Sequence, residues 1–348
     1  MWLQLMDRAN AEPTQASARV DRYADGAVSV TGPSAAATVP VGAWTVDAGW
    51  SSDFVSGATP LVAGDAISSA TRYEDQRQAP TLAGARSLGE ALVVRGSYAA
   101  SLERDFSAHV LGFGGSAQLL GNMATLRLDW HGHVDRAGRA DDPSYAEDSL
   151  GQAWDLGWTH ILGRSTTATA LTTGSWDACS ATLGCQANPY RTVWVDGVVL
   201  PEAHPDARGR AALAGRVAHA FGPDTSVRGG YRFYADTWRI SGHTVDVSLA
   251  RAAWDQRLTA RARGRWSTQT AASFWARTYS GTPRYRTGDP GLGGLTSWST
   301  GLSLEWALFG PPPFSRLAAS GHLDRAWLTY ATATRDAWVT GGGIDAEF

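Results

Sequence analysis

Leu258-Thr259-Ala260-Arg261-Ala262-Arg263-Gly264-Arg265-Trp266-Ser267 decides how this chain is read. Leu258, Ala260, Ala262, Gly264 and Trp266 alternate strictly with Thr259, Arg261, Arg263 and Arg265. Successive side chains on a strand point to opposite faces, so this stretch has one oily face and one strongly cationic face. Wound as a helix, its arginines would scatter around the axis. The period of two predicts a β-strand with unlike surroundings on its two sides.

The two-sided pattern recurs along the chain. In Thr225 to Asp236, Val227, Gly229, Tyr231 and Phe233 fall on one side, and Arg228, Arg232 and Asp236 on the other. Trp44, Val46, Ala48, Trp50 and Phe54 oppose Thr45, Asp47, Ser51 and Asp53. Leu92, Val94, Tyr98 and Leu102 oppose Arg95, Ser97, Ser101 and Glu103, and Leu126, Leu128 and Trp130 oppose Arg127, Asp129 and His131. Further on, Trp298, Leu302, Leu304, Trp306 and Leu308 oppose Ser297, Ser299, Ser303 and Glu305. Such runs supply the ~9–11 tilted residues that a strand needs to cross a bilayer.

Connection lengths give a second signal. Short turns are expected near Gly121-Asn122, Gly163-Arg164, Phe221-Gly222-Pro223-Asp224 and Ala252 to Trp254. Between them lie longer polar stretches at Gly57 to Ala70, Asp135 to Asp148, Asp177 to Pro189, Gly197 to Arg208 and Gly281 to Gly294. Short turns at one end and long loops at the other are the layout of outer-membrane barrels. Gly310-Pro311-Pro312-Pro313 reads as a rigid turn between the last strands. The fold expected is all-β, a single transmembrane antiparallel up-and-down β-barrel of about 16 strands, with roughly 14 to 18 as the range.

Composition bounds the alternatives. The 348 residues carry 30 Lys and Arg against 33 Asp and Glu, a formal net charge of −3. So near-neutral a balance lacks the concentrated basic surface that nucleic-acid binding requires. The 16 Trp and 39 Gly exceed ordinary usage. Trp suits a lipid–water boundary and Gly suits strand bends, although a Trp-rich soluble propeller or sandwich has a similar composition. The long alternating runs separate the two. No stretch approaches the ~18 uninterrupted apolar residues of a membrane helix, whereas barrel strands are apolar only at alternate positions.

Residues 1–11 read as a residual leader or disordered start, because Ala9-Asn10-Ala11 before Glu12 has the small-x-small form of a processing site. Residues 12–348 read as the barrel. At the other end Trp338, Gly342, Ile344, Ala346 and Phe348 share one parity. A final amphipathic strand ending in an aromatic resembles the signal read by the barrel assembly machinery, which is an expected partner alongside outer-membrane lipid and a periplasmic protein. Cys179 and Cys185 close a short loop and are expected to form a disulfide in an oxidising compartment, with two unpaired thiols as the alternative. Two ligands alone do not make a zinc centre.

If the apolar face meets lipid, the polar face lines the lumen. Arg210, Arg216, Arg228, Arg232, Arg261, Arg263 and Arg265 then form a cationic wall, and Asp47, Asp53, Glu103, Asp129 and Glu305 come from elsewhere in the chain. Two readings stand: a polar channel whose transverse field selects anions, or cross-strand ion pairs that stiffen a closed lumen. The acidic stretch with Asp135, Asp141, Asp142, Glu147 and Asp148 lacks EF-hand spacing and reads as a solvated loop rather than a Ca²⁺ site. His131 and His133 share a face with Asp129 and read as lumen lining rather than metal ligands. No metal and no cofactor is expected. Nucleophile-elbow, zinc-protease and phosphate-loop patterns are missing, which argues against an enzyme.

Seven runs also resemble a known family. They are Asp53-Phe54-Val55-Ser56-Gly57-Ala58-Thr59-Pro60, Ser101-Leu102-Glu103-Arg104-Asp105-Phe106, Asn188-Pro189-Tyr190-Arg191 and Pro205-Asp206-Ala207-Arg208, followed by Tyr231-Arg232-Phe233-Tyr234-Ala235-Asp236-Thr237-Trp238, Ser241-Gly242-His243-Thr244 and Gln269-Thr270-Ala271-Ala272-Ser273-Phe274. In that order they resemble the outer-membrane family catalogued as domain of unknown function 3570, from about Ala18 to about Tyr279. Phe106, Phe233 and Trp275 stand where its pattern favours Tyr, and the chain is shorter around Tyr73 to Ser87. The resemblance implies a barrel and brings no substrate and no catalytic residue. The location expected is the outer membrane of a Gram-negative bacterium. The role expected is that of a porin-like or export channel with a polar, partly cationic lumen. The alternatives are a structural barrel that docks a periplasmic or surface assembly and, behind it, a barrel enzyme.

Overall fold

Sixteen antiparallel strands close into one barrel in the computed structural model, which describes residues 13–348 apart from 27, 58–72, 180–183, 186–188 and 309–313. The first half is built from β1 (Gln15–Ala24), β2 (Val28–Val41), β3 (Trp44–Gly57), β4 (Tyr73–Leu88), β5 (Leu92–Leu102), β6 (Phe106–Leu119), β7 (Ala124–Arg139), β8 (Asp142–Gly163) and β9 (Thr166–Cys179). Two short strands follow, β10 (Thr192–Val195) and β11 (Val198–Pro201). The barrel resumes with β12 (Ala207–Phe221), β13 (Thr225–Asp236), β14 (Ser241–Ala253) and β15 (Leu258–Gln269). After β16 (Thr278–Tyr279), it ends with β17 (Leu295–Leu308), β18 (Arg316–Tyr330) and β19 (Thr334–Glu347). Each barrel strand pairs with the next one in sequence, and β1 closes the cylinder against β19. Closure leaves no edge strand exposed, so the ladder runs around the whole cylinder.

The alternation decides which face goes where. On β12, Leu213, Val217 and Phe221 point outward and are 58%, 49% and 61% exposed, while Arg208, Arg210 and Arg216 point inward. Leu302 and Leu304 on β17 and Val245, Val247 and Leu249 on β14 are likewise uncovered on the outer wall. So wide an apolar surface is far beyond what a soluble protein leaves in water; it is the lipid-facing belt. Tryptophans border it on both sides. Trp266, Trp298, Trp327 and Trp338 lie towards one end, with the Trp266 and Trp298 rings 6.2 Å apart. Trp44, Trp158, Trp254 and Trp306 lie towards the other, where Trp254 and Trp306 are 5.9 Å apart. Aromatic rings seat at both lipid–water interfaces.

The turns at Gly121-Asn122, Gly163-Arg164, Gly222 and Trp254 all fall at one end, together with both ends of the described chain. Gly42, with φ +62, makes the β2–β3 turn there, in the left-handed region that favours glycine. In outer-membrane barrels the short-turn end is periplasmic. The Gly57 to Ala70 loop, the 1–11 leader and the Gly310 to Pro313 turn lie wholly or almost wholly outside the described residues. The stretch from Asp135 to Asp148 is not a loop. It is the top of the β7–β8 hairpin, turning only at Ala140 and Asp141. Its charges alternate so that Arg136 stands directly opposite Asp148 at 4.0 Å, and the ladder satisfies the backbone of a strongly polar segment.

Candidate functional site

All seven arginines singled out from the sequence lie on inward positions of β12, β13 and β15, but the wall treats them differently. Arg210 is held by Asp177 on β9. Arg263 reaches Asp324 on β18 across Gly301 of the intervening β17, where a Cβ would sit 2.9 Å from the Arg263 Nε. Arg216, Arg228, Arg232, Arg261 and Arg265 have no ion pair among the described residues; Arg232 stacks on the Tyr234 ring at 5.5 Å. Asp246 faces Arg265 across the β14–β15 ladder, yet its carboxylate lies over Gly230 on the other side, 2.7 Å from where a Cβ would stand.

Most other inward charges are paired, whereas Asp47, Asp155 and Asp246 have no ion pair among the described residues. Asp53 pairs with Arg77 at 3.1 Å. Asp129, 4% exposed, takes Arg95 at 3.1 Å and Arg127 beside it. His133 lies 3.2 Å from Asp177 and 3.6 Å from Asp135. Glu305 pairs with Arg316 at 2.7 Å, and Arg19 with Asp345 at 3.1 Å. Asp47 accepts from the Thr38 hydroxyl at 2.5 Å. Inward glycines make room for this network, letting charged side chains lie flat along the wall. Asp129 lies over Gly114, and His133 with Asp177 over Gly151. The sequence reading places Arg95 and Asp236 on the polar face without their partners and does not single out Arg77, Asp177 and Asp324, although strand parity places each of these on the inner face.

At the external mouth, the long β9–β12 and β15–β17 connections fold into a cap. β11, β10 and β16 form a three-stranded sheet in it. Trp238, Ile240, Ala272 and Leu292 make its core, with Phe274 and Trp238 rings 5.2 Å apart. Glu202, 2% exposed, accepts from the Thr287 hydroxyl and the Gly288 amide at 2.8 Å each, and His204 lies 3.1 Å away. A disulfide joins Cys179, the last residue of β9, to Cys185, and the Cys185 amide donates to the Pro205 carbonyl. The cap also reaches the neighbouring hairpins: the Tyr190 hydroxyl donates to Asp105 in the β5–β6 turn and accepts from the Ala140 amide at the β7–β8 tip. Burial and the Asp105 carboxylate push the Tyr190 phenol above its ordinary value. Burial likewise pushes up the Glu103 carboxyl, with Asp75 nearby adding to the effect.

Several of the quoted family runs meet in this cap: Asp105, Tyr190, Arg191, Arg208, Trp238 and Phe274 all contribute contacts to it. Arg208 pairs with Asp236 at 2.6 Å and lies 4.1 Å from the Trp238 ring, while Arg191 pairs with Asp289 at 3.2 Å.

A closed sixteen-strand sheet, oily outside and charged within, is a transmembrane β-barrel of the outer-membrane type. The chain belongs to the family described as Protein of unknown function (DUF3570), whose match covers residues 97–319. That match begins later than the runs quoted from the sequence and extends further, to the start of β18. Among solved structures, a bacterial polysaccharide outer membrane secretin shares the fold with a TM-score of 0.55, at 8% identity over 97% of this chain and 99% of that one. OprD from Pseudomonas aeruginosa has a TM-score of 0.48 at 9% identity over 98% of each chain. The siderophore receptor PirA from Pseudomonas aeruginosa has a TM-score of 0.48 at 10% identity; the match covers 95% of this chain, which spans 61% of that receptor. No curated protein matches the sequence.

Proposed function

We propose that this chain is a passive channel for anionic solutes in the outer membrane of a Gram-negative bacterium. The observation that carries the reading is the set of five inward arginines on β12, β13 and β15 that have no ion pair among the described residues, against three inward carboxylates, Asp47, Asp155 and Asp246, that also have none. Arg216 lies in register with Gly230, diagonally beside both Arg228 and Arg232. Diagonal neighbours are about 7–8 Å apart, so each pair repels by roughly 0.6 kcal/mol in water but by about 2 kcal/mol at an effective dielectric of 20. A hydrated lumen tolerates that repulsion and a dry, closed one does not. The uncompensated field favours anions entering from either side.

Purified protein in planar bilayers tests the reading. Anion-preferring conductance is expected, and replacing Arg228, Arg232, Arg261 and Arg265 together by Gln should lower the anion-to-cation permeability ratio about tenfold. Absence of conductance, both in the intact protein and after removal of residues 186–203, would sink it. A second reading, a barrel that docks other proteins, draws on the packed core of the cap, which is more than a constriction needs. Conductance that appears only after the cap is removed would favour it. We assign no catalytic step; hydrolysis of lipid or peptide by the pure protein would overturn that assignment. The barrel assembly machinery is the partner proposed for β19, which sets Phe348 on the lipid face with its ring 5.0 Å from that of Phe314.

A further inference from the structure

The lipid-facing wall is apolar on most strands, and a patch across β1, β19 and β18 interrupts it. Arg22 on β1 shares the outward parity of Val20, which is 51% exposed. In register with it stand Thr31 on β2 and Thr340 on β19, both outward. One rung further along β19, Trp338 faces Arg325 of β18, whose guanidinium lies 4.9 Å from the Trp338 ring and 5.0 Å from that of Trp327. Asp336 neutralises Arg325 with two contacts of 3.1 Å from its Nε. Arg22 has no ion pair or hydrogen bond among the described residues, and neither hydroxyl beside it is engaged. Arg136, the other outward strand arginine of the external half, has Asp148 at 4.0 Å.

An arginine on the lipid face is costly at mid-bilayer and far less so near an interface, where it reaches polar groups. Arg22 lies among the tryptophans of the external girdle, so what stands before it is the headgroup layer. The anion found there is phosphate, which the guanidinium fork binds in bidentate fashion. Arg22 and Arg325 are separated by one strand, or about 10 Å across the sheet, which is the width of a single headgroup.

We propose that Arg22, flanked by Thr31 and Thr340 and bordered by Trp338 and Arg325, holds the phosphate of an outer-leaflet lipid. The site stands apart from the lumen and does not depend on the channel reading.

The full-length protein in neutral detergent should be titrated with bisphosphorylated lipid A, its dephosphorylated form, phosphatidylglycerol and inorganic phosphate, with bound lipid read by native mass spectrometry. Saturable binding of phosphorylated lipid is expected, weakened about tenfold in Arg22→Gln and partly retained in Arg22→Lys. Arg86→Gln, at the outward arginine beside Trp44 at the opposite girdle, should bind as wild type. Tighter binding of lipid A than of phosphatidylglycerol would identify a glycolipid as the source, and equal binding would show that the phosphate alone is read. Heat-modifiable gel migration establishes that each variant is folded. Equal binding of the dephosphorylated lipid, unchanged binding by a folded Arg22→Gln, or loss of a dimer rather than of lipid in that variant would each overturn the proposal.

Discussion

Along β7 to β9, Arg127 and His133 each sit against a carboxylate; along β12, β13 and β15, most arginines of the same inward parity have none among the described residues. The two walls use the same residue types and the same strand geometry. They differ in where a carboxylate lies one rung or one glycine away. Gly114 lets Asp129 lie flat between Arg95 and Arg127, and Gly301 lets Arg263 span a strand to Asp324. Gly230 draws Asp246 away from Arg265 instead. One wall thereby pairs most of its charges, and the other leaves five arginines without an ion pair among the described residues.

The sharpest way to break this contrast is to remove a carboxylate from each wall. Asp129→Ala strands two arginines, one of them largely covered, and should destabilise the barrel by about 3 kcal/mol in urea titrations in lipid vesicles. Asp246→Ala strands none and should change stability by less than about 0.5 kcal/mol. Equal losses would erase the distinction between the walls.

A smaller effect is expected from the disulfide. Replacing Cys179 and Cys185 by Ser opens a short loop and should cost about 2 kcal/mol, confined to the cap. Hydrogen exchange should rise around Cys185 and Pro205 while the strand ladders stay protected, and current noise should rise in bilayers. Smallest of all is a pair of glycine changes. At Gly114 an added Cβ would meet the Leu128 carbonyl at 2.8 Å as well as the Asp129 carboxylate, so Gly114→Ala should cost about 1–2 kcal/mol. At Gly230 it would meet only the Asp246 carboxylate, which can swing, so Gly230→Ala should be near neutral and should bring Asp246 closer to Arg265. A drop in anion preference in Gly230→Ala would show that pairing, and not arginine content, sets the field.

Much of this was legible from residues alone. The Leu258 to Ser267 alternation placed Arg261, Arg263 and Arg265 on one face, and the same reasoning put Asp53, Asp129 and Glu305 on inward positions. The stretch from Asp135 to Asp148 misled because dense charge suggests a solvated loop, whereas opposite charges facing each other across a hairpin suit a ladder. The cap was hidden for another reason. Its loops carry no periodic signal, and Glu202 meets Thr287 and Gly288 only through contacts more than eighty residues apart in the chain.

Alternation is local: each residue's face depends only on its neighbours along the strand, so the strands, their two faces and the lipid-facing belt follow from residue order alone. Which inward charges meet depends on register between strands far apart in the chain and on glycines that open space between them. That part emerges only on folding, and with it the division between inward charges that are paired and the five arginines that have no ion pair among the described residues.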